Sequence, residues 1–482
     1  MSSKSSAMAP SDSFTYSPSS RPPESSSKGF RYIILFLTMA CLTSICSNMV
    51  AFNVTMLCSD NGNMTRVVTD KEAQNKNTMS LWAVSAGSIL ATAPFNWLYS
   101  RFGARWVFFG AGIISTVSTV LIPASSDLNF YTFIVVRFFQ GVAFGANFAA
   151  IGMVCSRWAA LTENGFFLSA MTIFSQVSVI ITNPVSGFLC VSPLGWRSVY
   201  YFHAGAGPIL FGLWIWLYTD YPESHKSVND REKDIIMKGK DTDKRVLDGF
   251  LPYKAICTNK VVLVVWFNAF GDIISAIFLL TYFPTYLKDV LGYSLETASV
   301  LSMFPAISHV PAKLFFGWVF DKLQWISEVN KMRICNTVAL MGSAILFIVV
   351  GFIPNSMAGW SVACTTLNYA FIGANCGGFY KCGSLVSRQY AHFVIANIQF
   401  LKCISLFVSP LMVYIFVSDQ SSRDQWRIIY LIMAAFLIIG NALFMYYVTD
   451  QPADFTNITK QNSKESKSKS SSDSIENGTK SD

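Results

Sequence analysis

The chain has 482 residues, of which 52% are hydrophobic and only 13% are charged, and its net charge is +8. A soluble protein of this size would carry about twice that share of charged residues, so the composition excludes a cytosolic enzyme, a nucleic-acid-binding domain and a disordered scaffold. Twelve membrane helices of ~20 residues would need about 240 apolar-rich positions, close to what the sequence offers. The composition therefore predicts an all-α protein that crosses the lipid bilayer many times.

The chain opens with a polar segment and continues as a series of apolar runs. Residues 1–29 are rich in Ser and Pro, which predicts a disordered cytoplasmic N-tail. Each run is long enough to cross a hydrocarbon core of about 30 Å. The twelve predicted spans are 30–57, 79–99, 104–125, 130–154, 164–190, 198–219, 261–287, 296–320, 333–353, 357–380, 392–417 and 426–448.

A polar central loop at 220–260 carries nine Lys or Arg residues and separates two six-helix halves, 30–219 and 261–448. Residues 449–482 predict a second disordered tail. Of the 36 Lys and Arg residues, 26 fall on the side of the tails and the central loop, 7 fall on the opposite side, and 3 lie within spans. Because basic residues concentrate in cytoplasmic segments, we expect both termini and the central loop to be cytoplasmic.

Two further features are a candidate glycosylation site, on the side opposite the tails, and the distribution of the cysteines. The loop 58–78 contains the sequon Asn63-Met64-Thr65, which predicts a glycosylation site in the lumenal or extracellular space. The eleven cysteines are scattered without a CxxC pair, and most lie inside apolar runs. We interpret them as small buried packing residues.

Two short loops stand at equivalent places in the two halves. After the second span, Arg101, Gly103 and Arg105 match three positions of the pattern G-x-x-x-D-R/K-x-G-x-R/K, whereas Asn96 and Ser100 replace its Gly and Asp. After the eighth span, residues Gly317, Asp321 and Lys322 restore the Gly and the Asp.

This repeated pattern, on two six-helix halves with a long loop between them, resembles the major facilitator superfamily. The resemblance implies a fold of twelve transmembrane helices that works by alternating access. It also implies that the two loops form a charge-pair latch, which holds the halves together on the cytoplasmic side in one state.

A narrower pattern begins with R-F-F-Q-G at 137–141 and continues with S-R-W-A at 156–159. It resembles the anion:cation symporter family, which includes sodium–phosphate cotransporters, sialin and the vesicular glutamate and nucleotide transporters. Further matches are 195–201, Pro305, Pro410 and 424–426.

The sequence also departs from that family at three places. Members typically carry an Arg in helix 1, an acidic residue in helix 4 and often an Arg in helix 7; Met49, Phe144 and Asp272 stand at or near those places. The family's proton-coupling carboxylate is therefore absent, and the mechanism of its members cannot simply be transferred.

Five ionisable residues lie inside predicted spans: Arg137, Asp272, His309, Lys313 and Lys402. Each costs several kcal/mol in lipid unless it faces a cavity or a partner, and the resemblance implies that all five are on helices near the central path. Three fixed positive groups against one negative group favour an anionic substrate. We expect Arg137 to grip a carboxylate or phosphate in bidentate fashion, with Lys402, Lys313 and His309 adding positive potential and Asp272 acting as a coupling-ion or charge-pair residue.

Each of these residues also has a structural explanation. Arg137 would be a structural or water-lined residue near the outer mouth, Lys402 would snorkel, Asp272 would pair with Lys402 or Lys313, and His309 would bond within a helix interface. Neutral polar residues would bind substrate or join helices; they are Asn147, Asn268, Asn375 and Gln176.

The sequence shows no ATP-binding motif, metal-ligand spacing or nucleophile constellation. We predict a secondary transporter rather than an enzyme, without cofactor, nucleic acid or obligate protein partner, which moves phosphate or an organic carboxylate with Na⁺ or H⁺. The lost helix 1 Arg and helix 4 acid leave open a uniporter or exchanger of a neutral or cationic solute. Ser100 in place of Asp leaves open a transporter-like sensor that no longer cycles. Because the tails lack an acidic dileucine signal, we expect the plasma membrane.

Overall fold

A computed structural model describes residues 29–58, 71–160, 163–238, 252–323 and 325–458. All regular structure in these residues is helical. Six helical spans make up the N-terminal half: α1 (Phe30–Thr55), α2 (Lys71–Phe102), α3 (Ala104–Leu128), α4 (Phe130–Trp158), α5 (Asn164–Thr172 and Phe174–Val191) and α6 (Gly195–Leu217).

Six further spans make up the C-terminal half, and four of them contain a local irregularity. They are α7 (Lys260–Thr285, extended by the π turn Tyr286–Val290), α8 (Leu295–Leu301 and Met303–Lys322), α9 (Glu328–Asn336 and Ser343–Phe352, joined by the π turn Thr337–Gly342), α10 (Ala358–Ile372 and Phe379–Ser387, joined by the 3₁₀ turn Gly373–Gly377), α11 (Ala391–Phe416) and α12 (Arg423–Tyr447).

Nine of the described helical stretches are long and apolar enough to cross a membrane, and α2, α6 and α10 complete the set of twelve. This arrangement confirms the predicted all-α fold. An even number of spans places Gly29 and Ile458 on one side, which we call the terminal side; the other is the distal side. Residue Asn63 and the tail 1–28 lie outside the described residues.

Each half is built around its own apolar core. In the N-terminal half, α2 and α4 cross closely because each helix has a glycine at the crossing. A β-carbon on Gly141 would lie 2.0 Å from the carbonyl oxygen of Val84, and one on Gly87 would lie 2.2 Å from that of Phe138. The Gly of the R-F-F-Q-G motif is therefore a packing requirement.

The two halves meet on the distal side. Lys288, in the turn after α7, donates to the carbonyl of Leu57 after α1 over 2.5 Å. The Asn183 amide of α5 donates to the Ser302 hydroxyl of α8 over 2.8 Å, and the side chain of Gln74 in α2 donates to the carbonyl at 417. These described contacts thus close the space between the halves at their distal ends.

Two cysteines were interpreted wrongly as packing residues. Cys58, after α1, and Cys190, at the end of α5, form a disulfide with a Cα–Cα distance of 5.9 Å. They are separated by 132 positions in the sequence, so their spacing carries no signal of pairing. The bond links the distal ends of two helices within the N-terminal half.

The expectation of disorder from residue 449 onward is also wrong for residues 449–458. This segment, which we call the C-terminal strap, contains the 3₁₀ turn Asp454–Asn457 and buries Phe455 in the core of the C-terminal half. Its Ala453 amide donates to the Val386 carbonyl over 3.0 Å, and its Ile458 carbonyl accepts from the Tyr390 hydroxyl over 2.7 Å. The strap is ordered because it buries an aromatic ring that a purely polar tail lacks.

The central loop also contains ordered structure, the helix Asp230–Met237. Its fully buried Glu232 accepts from the backbone amides of Phe30 (3.2 Å) and Arg31 (3.0 Å). These amides open α1, whose N-cap residue Gly29 has no side chain to bind them. A carboxylate there satisfies the free donors and complements the helix dipole.

Candidate functional site

A cavity of about 420 Å³ lies between the halves and reaches toward the terminal side. Side chains of α4, α5, α7, α8, α10 and α11 line it. Lys381 and the exposed Ser384, at the terminal end of α10, stand at its mouth. The walls combine aromatic and aliphatic side chains with many polar ones, which besides the two at the mouth are Ser169, Thr172, Ser175, Gln176, Asp272, His309, Lys313, Asn375, Gln399 and Lys402.

The cavity collects four of the five ionisable residues predicted within spans: Asp272, His309, Lys313 and Lys402. Arg137 is separate. It lines a smaller cavity of about 60 Å³ on the distal side of the first, and Lys402 lines both. The structure therefore brings one acid, two lysines and a histidine around a shared space, with the arginine beyond it.

The two lysines face the cavity, and neither has a carboxylate partner in the described part of the chain. The Lys402 ammonium lies 5.1 Å and 5.4 Å from the ring centroids of Phe174 and Phe148, where the ring faces attract a cation. The Lys313 ammonium donates to the Thr172 hydroxyl over 3.4 Å. Within the described part of the chain, no carboxylate oxygen lies within 4 Å of either ammonium, so the expected ion pair of Asp272 with one of them is not formed.

Asp272 is paired with an amide instead. Its Oδ2 accepts from Nδ2 of Asn375 over 2.7 Å, and the carboxylate is only 2% exposed. Its Oδ1 has no hydrogen-bond donor among the described residues, and the same holds for Oδ1 of Asn375. Two buried acceptor oxygens thus lie unpaired at the cavity wall.

His309 is held by the backbone of α10. Its Nδ1 lies 3.0 Å from the carbonyl oxygen of Tyr369, and because a carbonyl can only accept, Nδ1 carries a proton. The histidine therefore bridges α8 and α10 while its ring borders the cavity. This contact matches the structural explanation for His309.

Arg137 and Gln140, both in the R-F-F-Q-G motif, tie α4 to its neighbours. The Arg137 guanidinium donates to Gln140 Oε1 (2.6 Å) and to the Met49 carbonyl (3.3 Å), and it lies 4.4 Å from the ring centroid of Phe52. Gln140 in turn donates to the Thr119 hydroxyl over 2.8 Å. Arg137 Nε has no partner among the described residues, so part of the guanidinium is still free to bind.

The loop between α2 and α3, which carries Arg101, Gly103 and Arg105 and which we call the first gating loop, is anchored within its own half. Gly103 has a φ of +77°, and a β-carbon there would lie 2.5 Å from Asp220. Asp220, after α6, accepts from the Ala104 amide over 2.6 Å. Arg105 donates to the Ile215 carbonyl over 2.6 Å, and Arg101 is exposed.

The second gating loop is the segment at the end of α8 that carries Gly317, Asp321 and Lys322. Gly317 faces α10, with the Cys376 sulfur 3.8 Å from where its β-carbon would stand. The side chains of Asp321 and Lys322 lie outside the described residues. The predicted latch between the halves therefore stays a prediction, since the described contacts of the first loop all lie within the N-terminal half.

Among the neutral polar candidates, Asn375 and Gln176 line the cavity. Asn268 instead accepts from Asn336 over 3.1 Å and joins α7 to α9, and Asn147 is buried outside the lining of either cavity.

Sequence reasoning missed the break in α10 that places Asn375. A β-carbon on Gly377 would lie 2.6 Å from the Cys335 sulfur, and one on Gly378 would lie 3.0 Å from the Asn336 amide nitrogen. The run Gly373 to Gly378, with three glycines and an asparagine inside an apolar stretch, was the available signal. Interrupted helices mark binding sites in many transporters.

The comparisons with known proteins agree with this architecture. The sequence model of the Major Facilitator Superfamily matches residues 32–410. Sialin from Homo sapiens is 26% identical over 370 residues, which cover 75% of this chain and 73% of sialin. Vesicular glutamate transporter 2 from Bos taurus is 24% identical over 365 residues, covering 74% of this chain and 62% of that transporter.

Solved structures show the same fold at low sequence identity. A crystal structure of the D-xylose-proton symporter has a TM-score of 0.67 at 13% identity, covering 87% of this chain and 98% of that one. The xylose transporter XylE from E. coli, in a partially occluded inward open conformation, has a TM-score of 0.66 with the same identity and coverage.

The relatives confirm the predicted resemblance to the anion:cation symporters, and the family is one of transporters rather than enzymes. Helices that span a membrane and a cavity between two halves fit this assignment. The chain therefore belongs to the Major Facilitator Superfamily, as a multi-pass membrane transporter.

Proposed function

We propose that the protein is a secondary active transporter of a small anion, phosphate or an organic carboxylate, coupled to Na⁺ or H⁺. The observation that carries the proposal is the pair Lys313 and Lys402, whose ammonium groups face one cavity without a carboxylate partner in the described residues. Buried cations of this kind need a counter-ion, and an anionic substrate supplies one. The similarity to sialin and a vesicular glutamate transporter supports the same class.

In this proposal the anion binds in the large cavity, with Lys402 and Lys313 as direct contacts and His309 at the wall. Arg137 serves on the distal side, where its partly free guanidinium meets the anion when the halves open there. Lys402 borders both cavities and passes the anion between them. Asp272 is the residue with which the coupling ion interacts.

We also propose that the terminal side is cytoplasmic. The disulfide of Cys58 and Cys190 lies on the distal side, and structural disulfides persist in oxidising compartments such as the cell exterior and the secretory lumen. Glycosylation at Asn63 would fall on that side. We keep the plasma membrane as the proposed location, which surface biotinylation of the expressed protein tests.

The test of function is uptake into proteoliposomes of purified protein. Labelled phosphate, sialate, glutamate and urate are offered singly under an imposed Na⁺ or H⁺ gradient. Concentrative uptake of one anion under one gradient supports the proposal. Neutral and cationic solutes are offered to the same proteoliposomes: their equilibrating flux, without competition by anions, points instead to a uniporter or exchanger. Folded protein that moves none of these solutes points to a sensor.

A further inference from the structure

The contact between Asp272 on α7 and Asn375 in the break of α10 is incomplete in a specific way. The amide donates one hydrogen bond, to Oδ2 of the carboxylate, over 2.7 Å. The remaining oxygen of each side chain has no donor among the residues that the structure describes, although Asp272 is only 2% exposed and Asn375 only 6% exposed. Leaving such acceptors unpaired in a buried site is unfavourable.

We propose that Asp272 and Asn375 form the proton site of the transporter, with the proton on Asp272 Oδ1. A hydronium ion that enters the cavity from the bulk is the donor: one of its O–H bonds breaks, an O–H bond forms at Oδ1, and a water molecule is left, so the carboxylate becomes a neutral carboxylic acid. Protonation turns Oδ1 from an unpaired acceptor into a donor and removes the negative charge of the buried carboxylate. Asn375 is then a positioning residue, which holds Oδ2 through its amide.

A metal cation fits the same place less well. Hard cations such as Ca²⁺ and Mg²⁺ gather six or more oxygen ligands, whereas this site offers two unpaired oxygens. A proton needs only one acceptor oxygen, which Asp272 Oδ1 supplies. We therefore assign the site to a proton, and Na⁺ is the alternative that the sodium exchange below distinguishes.

The charged and titratable groups around Asp272 set the consequence of protonation. Helix α8 contributes His309 and Lys313, α11 contributes Lys402, and α10 contributes Tyr369, Cys376, Tyr380 and Lys381 at the mouth. Lys381 is already paired with Glu328 over 2.8 Å. Lys313 and Lys402 form no ion pair with Asp272 in the described residues, but their positive charges offset part of its negative charge across the cavity while it is ionised, and they act on the anion alone once it is neutral.

This inference rests on the proposed anion transport and gives it a coupling mechanism. An ionised Asp272 competes with the anion for the positive potential of Lys313 and Lys402. Protonation removes that competitor, so proton and anion bind cooperatively, and each raises the affinity for the other by the same factor. Such coupling moves both solutes in one direction.

The first experiment needs no substrate. The full-length protein in lipid nanodiscs is titrated with acid and followed by infrared difference spectroscopy, in which a protonated carboxyl group gives its own C=O band. We expect a band that the Asp272→Asn variant loses and the Asp289→Asn variant, a control at the distal end of the same helix, keeps. A wild-type spectrum without an Asp272-dependent band overturns the proposal.

A second variant guards against misfolding of the first. Asn375→Leu keeps Asp272 but removes its amide partner, and we expect the band to persist with a displaced midpoint and frequency. An unchanged midpoint and frequency removes Asn375 from the site. Exchanging Na⁺ for choline at constant ionic strength should leave the titration unmoved; a midpoint that shifts with Na⁺ assigns the site to Na⁺ instead.

The spectroscopic and transport results fail separately. Anion uptake without an Asp272-dependent band retains the proposed function and rejects this proton site. A band in a protein that moves no anion retains the site, and rejects its role in anion coupling.

Discussion

The Lys402 ammonium lies 5.1 Å from the ring centroid of Phe174. The ring belongs to the N-terminal half and the lysine to the C-terminal half, so the contact spans the two parts that must move during transport. An aromatic face attracts a cation but cannot neutralise it. The lysine is thus held in place with its charge still available to a bound anion.

Replacing this lysine should weaken anion transport strongly. We expect Lys402→Gln to lower the apparent affinity for the transported anion by about tenfold to a hundredfold, the range for a lost hydrogen bond to a charged group. Concentration-dependent uptake in proteoliposomes measures it. Lys254→Gln, at an exposed position outside the cavity, is the matched control, and equal affinities for the two variants would contradict the assignment.

Acidification should strengthen anion binding in the wild type. Because a proton on Asp272 removes one negative charge beside Lys313, affinity should rise as the pH on the cavity side falls. Asp272→Asn should hold the high affinity at every pH, and should exchange anion without accumulating it under a proton gradient. Binding and uptake across a pH series check both points; a variant as pH-dependent as the wild type would count against this role.

The crossing of α2 and α4 should not tolerate a methyl group. Gly141→Ala places a β-carbon 2.0 Å from the Val84 carbonyl oxygen, so a backbone must shift, at a cost of about 1–3 kcal/mol. Thermal unfolding in detergent should show the loss. Gly152→Ala, in the same helix but facing open space, should leave stability unchanged or slightly higher.

The distal disulfide should be detectable as two protected thiols. Maleimide–polymer labelling of the unfolded protein should add two labels after reduction in the wild type, and none further in the Cys58→Ser/Cys190→Ser double variant. The double variant should also lose about 2–4 kcal/mol of stability. Cys257→Ser, which removes an exposed free thiol, should leave the reduction-dependent increase at two.

The C-terminal strap should loosen when its aromatic anchor is removed. Phe455→Ala deletes a ring that is 3% exposed and should lower the free energy of local opening by about 3 kcal/mol. Hydrogen exchange should then quicken in the strap and at the terminal ends of α10 and α11, whereas Asp454→Ala, at an exposed site, should not change it. Exchange that matches the wild type would mean that the backbone hydrogen bonds alone hold the strap.

The sequence predicted much of the cavity because ionisable residues stand out in apolar runs. Asp272, His309, Lys313 and Lys402 were identified in this way, and all four line one cavity. Arg137 met the same criterion but lies beyond it, bonded to Gln140 and the Met49 carbonyl. Its separation depends on how α1 packs against α4, which no periodicity reports.

Other features could not be read from residue types. Asn375 is one of several buried amides. The glycine-rich run around it signals a helix break, but its contact with Asp272, which Asn268 lacks, depends on how α7 and α10 pack. The pairing of Cys58 with Cys190 depends on how α1 and α5 meet in space. The strap was missed because one phenylalanine among polar residues looks like part of a tail until a groove receives it.

The contacts that close the distal side have a consequence for how the resting state is set. They join Lys288 to the Leu57 carbonyl, Asn183 to Ser302, and Gln74 to a backbone carbonyl. None of these contacts pairs two opposite full charges, so salt screens them only weakly. The preference of the empty protein for this conformation should therefore be nearly independent of ionic strength. The bound solutes, rather than salt, should then determine when the protein changes conformation.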